Sequence, residues 1–185
     1  MALLSSFQAF CISTFISVSY VAGLYISKSA RISYNGKSIQ RDRDNDEVIR
    51  ARLKAVYLST CLNCAVIYWC MASDERAGSI WTTLKALGFV SSKSTIKAHF
   101  LIPILYTGPF VAQYLSKTLP FQANWSLKED IFPIFTTWIG FRNYIAAPIS
   151  EEIVFRACLL TVARMSQKGW YQMLFATPLW FGFGN

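Results

Sequence analysis

Hydrophobic residues along this chain fall into long uncharged runs separated by short charged stretches. Residues 3–26 hold 24 positions without a charge, enough to cross roughly 30 Å of hydrocarbon at about 1.5 Å per residue. A cleaved leader usually begins with a basic stretch and has a shorter apolar core, and here no basic residue precedes Lys28, so the pattern predicts a first membrane span. Residues 28–54 are polar, with eight Lys/Arg against four Asp/Glu. Such a loop belongs on the cytoplasmic side, with the uncharged N-terminus in the lumen. From Arg41 to Lys54 the order of acids, then bases, predicts a capped helix start. Residues 55–73 give a second uncharged run of 19.

The middle of the chain is more mixed. Residues 79–89 predict an amphipathic helix at the interface, with Trp81 as anchor and Gly88 as terminator. A third span is expected over 100–116, interrupted by Pro103, Gly108 and Pro109, which neighbouring helices can accommodate. Residues 131–143 are short and carry Arg142, 144–163 form a fourth long run, and 170–184 begin another. No repeat or linker divides the chain. The expected fold is all-α: a polytopic transmembrane helical bundle in one membrane-embedded domain over 1–185.

Composition narrows the class. Of 185 residues, 54% are hydrophobic and 15% charged, against about a quarter charged in soluble domains, and the mean hydropathy is +0.33. Disorder, a collagen-like chain and a charged coiled coil are excluded. The net charge of +8 could suggest nucleic acid, but the basic residues sit in short loops between apolar runs, as in a membrane protein, and no nucleic-acid partner is expected. Five cysteines, four of them in apolar runs, do not make a disulfide scaffold. Cys61 and Cys64 form a CxxC, yet nothing nearby supplies metal ligands and His99 is the sole histidine, so a packing role is expected, with no metal and no cofactor.

The informative chemistry lies in 142–160. Glu151, Glu152 and Arg156 sit inside an apolar run, at up to ~2.5–3.5 kcal/mol each at mid-membrane, or ~7–10 together if additive. The eight Leu, Ile, Val and Phe over 145–162 return only ~2.5–5 kcal/mol on that scale. This helix needs a bundle or a wet cavity to face. Glu152 and Arg156 are four apart, about 40° from each other around a helix, and can pair; Glu151 points about 100° away from Glu152. One carboxylate working as general base, with a second held by Arg156, fits this spacing. Pro148 and Ser150 predict a helix start that places the carboxylates in the first turn. A Glu–Arg pair that only fixes helix register fits the spacing as well.

Glu151-Glu152-x-x-x-Arg156, preceded by Arg142-Asn143 and Ala147-Pro148, resembles the first motif of the Ras-converting (type II) CAAX endopeptidase family, within the superfamily of CAAX and bacteriocin-processing membrane proteases. Arg41-Asp42 with Val48-Ile49-Arg50 and Arg52 resembles the family's basic loop, and 79–89 and Pro178-Leu179-Trp180-Phe181-Gly182 fall in the expected order. The resemblance implies a multi-pass enzyme of the endoplasmic-reticulum membrane that removes the last three residues from prenylated Cys-a-a-X proteins, such as Ras-like and Rho-like small GTPases. It implies Glu151 as the base that activates water together with a histidine, Glu152 and Arg156 as organisers of the site, and membrane lipid as the medium that delivers the substrate. No H-E-x-x-H occurs.

The family's second motif is Phe-x-x-x-His, and its third supplies another histidine. Here Phe181 is followed at that spacing by Asn185, so the expectation is a bundle incomplete at its C-terminus, with activity of these 185 residues alone strongly reduced. The alternative is a non-catalytic membrane protein of the same fold that binds lipid or a partner. A transporter or channel subunit whose buried charges bind an ion is the weaker one.

Overall fold

The computed structural model describes residues 3–26, 44–73, 79–90 and 101–167, with the single positions Gly169, Met173, Leu179 and Gly182. Among the described residues every regular element is helical and none is a strand, as the apolar runs predict. Of the expected last run over 170–184, all but three of these single positions lie outside the described residues, and so does His99.

Helix α1 is Ser6–Ile26. Ser5 starts it with a reciprocal cap: the Gln8 N–H donates to Ser5 Oγ (3.2 Å) and the Ser5 N–H to Gln8 Oε1 (2.9 Å). Helix α2 is Asp46–Ala72. Asn45 caps it by accepting from the Glu47 N–H at 2.9 Å, and Asp46 and Glu47 lie on the positive end of the helix dipole. Both helices are long and apolar enough to cross a membrane.

Helix α3, Ile80–Ala86, has Ser79 as its cap. It stops where the sequence predicts: Gly88 takes φ +83°, the Phe89 N–H reaches Leu84 O (3.0 Å) and the Gly88 N–H reaches Lys85 O (3.2 Å). This pair of bonds satisfies the last carbonyls and needs a left-handed residue, a role for which glycine carries no steric cost.

Over 100–116 the described residues form two short helices, α4 (Leu101–Leu105) and α5 (Thr107–Leu115), with Tyr106 between them out of helical geometry. Pro109 is the cause, since its ring crowds the carbonyl four residues back, on Leu105, and it has no N–H to give. After a turn-rich stretch and a wide turn at Leu127–Ile131 comes α6, Phe132–Thr136. The chain then bends at Thr137, whose backbone is extended.

From that bend the chain is helical through 138–165, here called the motif helix. It is made of α7 (Trp138–Phe141), a π segment (Arg142–Ala146), α8 (Ala147–Glu151), a second π segment (Glu152–Cys158) and α9 (Leu159–Met165). The joints at Phe141, Ala146, Glu151 and Cys158 all keep helical dihedrals. The helix thus begins earlier than the sequence predicts, and Glu151 and Glu152 lie well inside it, away from the first turn. Pro148 is absorbed by the first π segment. There the Ala147 N–H reaches back five residues to Arg142 O, which widens the turn that the proline ring must enter.

α1, α2 and the motif helix pack together around Ile16, Tyr20, Ile67, Val154, Phe155, Cys158 and Val162, all buried. Polar groups join the first two helices. Ser19 Oγ donates to Asn63 Oδ1 at 2.9 Å, and Asn63, fully buried, reaches Ile16 O at 3.5 Å. At Gly23 the helices come so close that a Cβ would sit 3.5 Å from that of Ser59. Small residues and interhelical hydrogen bonds of this kind hold helices together where lipid gives no hydrophobic drive. Cys61 is exposed and Cys64 packs at the edge of the core, and neither is in a disulfide.

Candidate active site

Glu152 and Arg156 are brought together as their spacing predicts, with Arg156 Nη1 2.8 Å from Glu152 Oε1 one turn apart. Their side chains are 54% and 75% exposed, so this is a pair on a wall and not in a core. The wall bounds a hollow of about 690 Å³, closed on the other side by Leu87, Gly88 and Phe89 at the end of α3 and bordered by Arg164 and Met173. The motif helix holds α3 there through Thr161, whose hydroxyl donates to Ala86 O at 3.1 Å and to Ala157 O at 2.8 Å. Terminating α3 at Gly88 therefore places its last turn beside the Glu–Arg pair.

Glu151 leaves the helix about 100° around from Glu152 and is half-buried. Its orientation is set by its neighbour. Ser150 Oγ lies 2.8 Å from Tyr20 Oη and donates to Ala147 O at 3.0 Å, which leaves the Tyr20 hydroxyl to donate to Ser150. The Tyr20 ring also stands edge-on to Phe155, centroids 5.3 Å apart at 80°. α1 thus fixes the rotation of the motif helix at the residue before the carboxylates. Tyr20 is a contact that the motifs of the sequence do not name; its signal is the spacing of Ser13, Ser17 and Tyr20, four and three apart on one face of α1, all three buried.

Arg142, the other charged residue of the motif region, is tied to the far end of α2. Its Nη2 lies 3.0 Å from Asp44 Oδ1 and its Nε donates to Asn143 Oδ1 at 2.9 Å, with the Arg142 side chain only 14% exposed. Nearby, Arg50 of α2 lies 4.7 Å above the Trp138 ring of the motif helix. The basic loop and the motif region, read separately in the sequence, meet here.

No group of three or more His, Cys, Asp and Glu is placed to hold a metal ion among the described residues. The chemistry on view is a pair of adjacent carboxylates, one held by a guanidinium at an open hollow and the other turned to a different side of the same helix.

The family described as type II CAAX prenyl endopeptidase Rce1-like matches residues 133–185, which contain the motif helix. The chain is 25% identical to CAAX prenyl protease 2 of Saccharomyces cerevisiae, over 97% of this chain and 61% of that protein. It is 29% identical to CAAX prenyl protease 2 of Homo sapiens over 90% of this chain and 49% of that protein, and 28% identical to the Rattus norvegicus protein over 90% and 52%. The chain spans about half the length of the curated relatives it matches. No solved structure matches it. The chain is thus similar to the type II CAAX prenyl endopeptidases, through the family model over 133–185 and through curated relatives over 90–97% of its length.

Proposed function

We propose that this chain carries the glutamate half of a membrane endopeptidase site that removes the C-terminal tripeptide from prenylated CAAX proteins. Glu151 is the general base that takes a proton from the attacking water, and Glu152, held by Arg156 one turn on, orients the helix turn that carries Glu151. The observation that carries this reading is Glu151, half-buried on the motif helix and next to a Glu152–Arg156 pair that borders a hollow of about 690 Å³. Intramembrane charges are costly, so charged side chains kept in such a helix are functional-site candidates.

The substrate class is the one that the names of the curated relatives carry, and the surroundings support it. A prenylated C-terminus is apolar and partitions into lipid, so the scissile bond arrives from within the bilayer, beside a helix that itself belongs there. On this reading the substrates are prenylated small GTPases of the Ras-like and Rho-like kinds, processed at the endoplasmic-reticulum membrane. General acid–base groups contribute typically about 10²–10⁴-fold each, so the site depends on whatever completes the proton transfers with Glu151.

The test is release of the tripeptide from a farnesylated CAAX peptide by membranes expressing the chain. Cleavage that falls by about 10²-fold or more in Glu151→Ala supports the reading. Cleavage equal in the two forms contradicts the role of Glu151. No cleavage by either form assigns this polypeptide to a non-catalytic membrane protein of the same fold.

A further inference from the structure

A groove of about 900 Å³ separates α2 from the motif helix; it is distinct from the Glu152–Arg156 hollow, with Ile153 bordering both. On α2 it is bordered by Arg50, Lys54, Tyr57, Cys61 and Cys64. These are spaced four, three, four and three residues apart, a single stripe along the helix. The facing stripe of the motif helix is Trp138, Phe141, Ile145, Ile149 and Ile153. The groove is therefore apolar along its length and cationic at one end. Ile149 and Tyr57 are among its exposed residues, and Lys54 makes no ion pair among the described residues.

We propose that this groove binds one anionic phospholipid, with an acyl chain between the two stripes and the headgroup phosphate at Arg50 and Lys54. The proposal does not rest on the protease reading. Three features select this occupant. The stripe from Arg50 to Cys64 extends about 21 Å at about 1.5 Å per residue, which exceeds the ~15 Å of hydrocarbon in one leaflet. Lys54 is the last charge before the uncharged run 55–73, so both cations stand at the depth of the headgroups. The loop they close is the basic one, which the charge pattern assigns to the cytoplasmic leaflet, where anionic lipids concentrate.

Arg50 and Lys54 also border a second hollow of about 850 Å³ between α1 and α2, but Glu47 lies on that side and its carboxylate opposes a phosphate. On the motif-helix side the residue nearest the cations is Trp138, over which Arg50 already lies at 4.7 Å, an arrangement suited to the bilayer interface. Each cation near an anionic headgroup is worth about fivefold in affinity, so the pair should favour an anionic over a zwitterionic lipid by at least about tenfold.

Native mass spectrometry of the chain released from detergent, in an equal mixture of phosphatidylserine and phosphatidylcholine with identical acyl chains, reads this directly. Phosphatidylserine should be retained over phosphatidylcholine by about tenfold. Arg50→Gln with Lys54→Gln should bring the ratio near one, whereas Lys85→Gln with Lys128→Gln, an equal change of charge elsewhere, should leave it. Since Arg50 also touches Trp138, Lys54→Gln alone guards against misfolding and should lower the ratio several-fold. Ile149→Trp, which fills the groove from an exposed position, should reduce retention of phosphatidylserine. A wild-type ratio near one, equal losses in the two double variants, or no effect of Ile149→Trp would overturn the proposal. Displacement of the retained lipid by S-farnesylcysteine methyl ester would give the groove to a substrate's tail and overturn it too.

Discussion

At the scale of single residues the structure turns on a few polar side chains at helix contacts. Asn63 is fully buried, and its two polar ends are used on α1, at Ser19 and at Ile16 O. Asn63→Leu should therefore weaken the α1–α2 contact by about 1 kcal/mol, the scale of interhelical hydrogen bonds in membranes, measured by reversible unfolding in mixed micelles. Unchanged stability would mean that small-residue packing at Gly23 carries the contact alone. Tyr20→Phe keeps the ring against Phe155 and removes only the hydroxyl at Ser150. It should cost no more than about 1 kcal/mol of stability, while lowering tripeptide release more than stability, because it loosens the rotation of the motif helix next to Glu151. Asp44 and Arg142 differ in exposure, 53% against 14%. Removing the more exposed partner still leaves a largely buried guanidinium, so Asp44→Ala should destabilise measurably, by about 1–3 kcal/mol, more than a surface ion pair would.

Among elements, those with local signals were legible and those shaped by strain were not. Ser79 and Gly88 marked both ends of α3, and Asn45, Asp46 and Glu47 marked the start of α2, because caps act within a few residues. Pro148 misled because a proline reads as the first turn of a helix. The π segment that lets the motif helix pass through it leaves no trace in hydrophobic spacing. The corner before that helix was silent as well. Thr137 Oγ1 donates to Pro133 O at 2.7 Å and accepts from the Gly140 N–H at 3.0 Å, and Gly140 lies directly against the Pro133 carbonyl, so any Cβ there would collide with backbone. Gly140→Ala should consequently cost about 3 kcal/mol, the upper part of the overpacking range, read as a lowered unfolding midpoint, whereas Gly108→Ala, in open space, should change little.

For the molecule as a whole, the class and the charged pair could be read from the sequence, since uncharged runs and an i, i+4 spacing are local facts. The surroundings of the pair could not. Tyr20 meets Ser150 across 130 residues, Arg142 meets Asp44 across 98, and Thr161 holds α3 across 75. Such contacts arise only when α1, α2 and the motif helix pack, and they turn a two-Glu pattern into one carboxylate on a hollow and another on a different side of the helix. The helix that by its sequence needs a bundle or a wet cavity to face has Glu152 and Arg156 open to a hollow.

In the proposed function Glu151 takes a proton from water while the Glu152–Arg156 pair only shapes the site. Glu151→Gln and Glu152→Gln separate these roles, since each removes one charge and keeps the side chain's size. In steady-state kinetics on a farnesylated CAAX peptide, Glu151→Gln should lower kcat by about 10²-fold or more with KM little changed, and Glu152→Gln should lower kcat less while raising KM. A kcat for Glu151→Gln within threefold of the wild type would contradict the account.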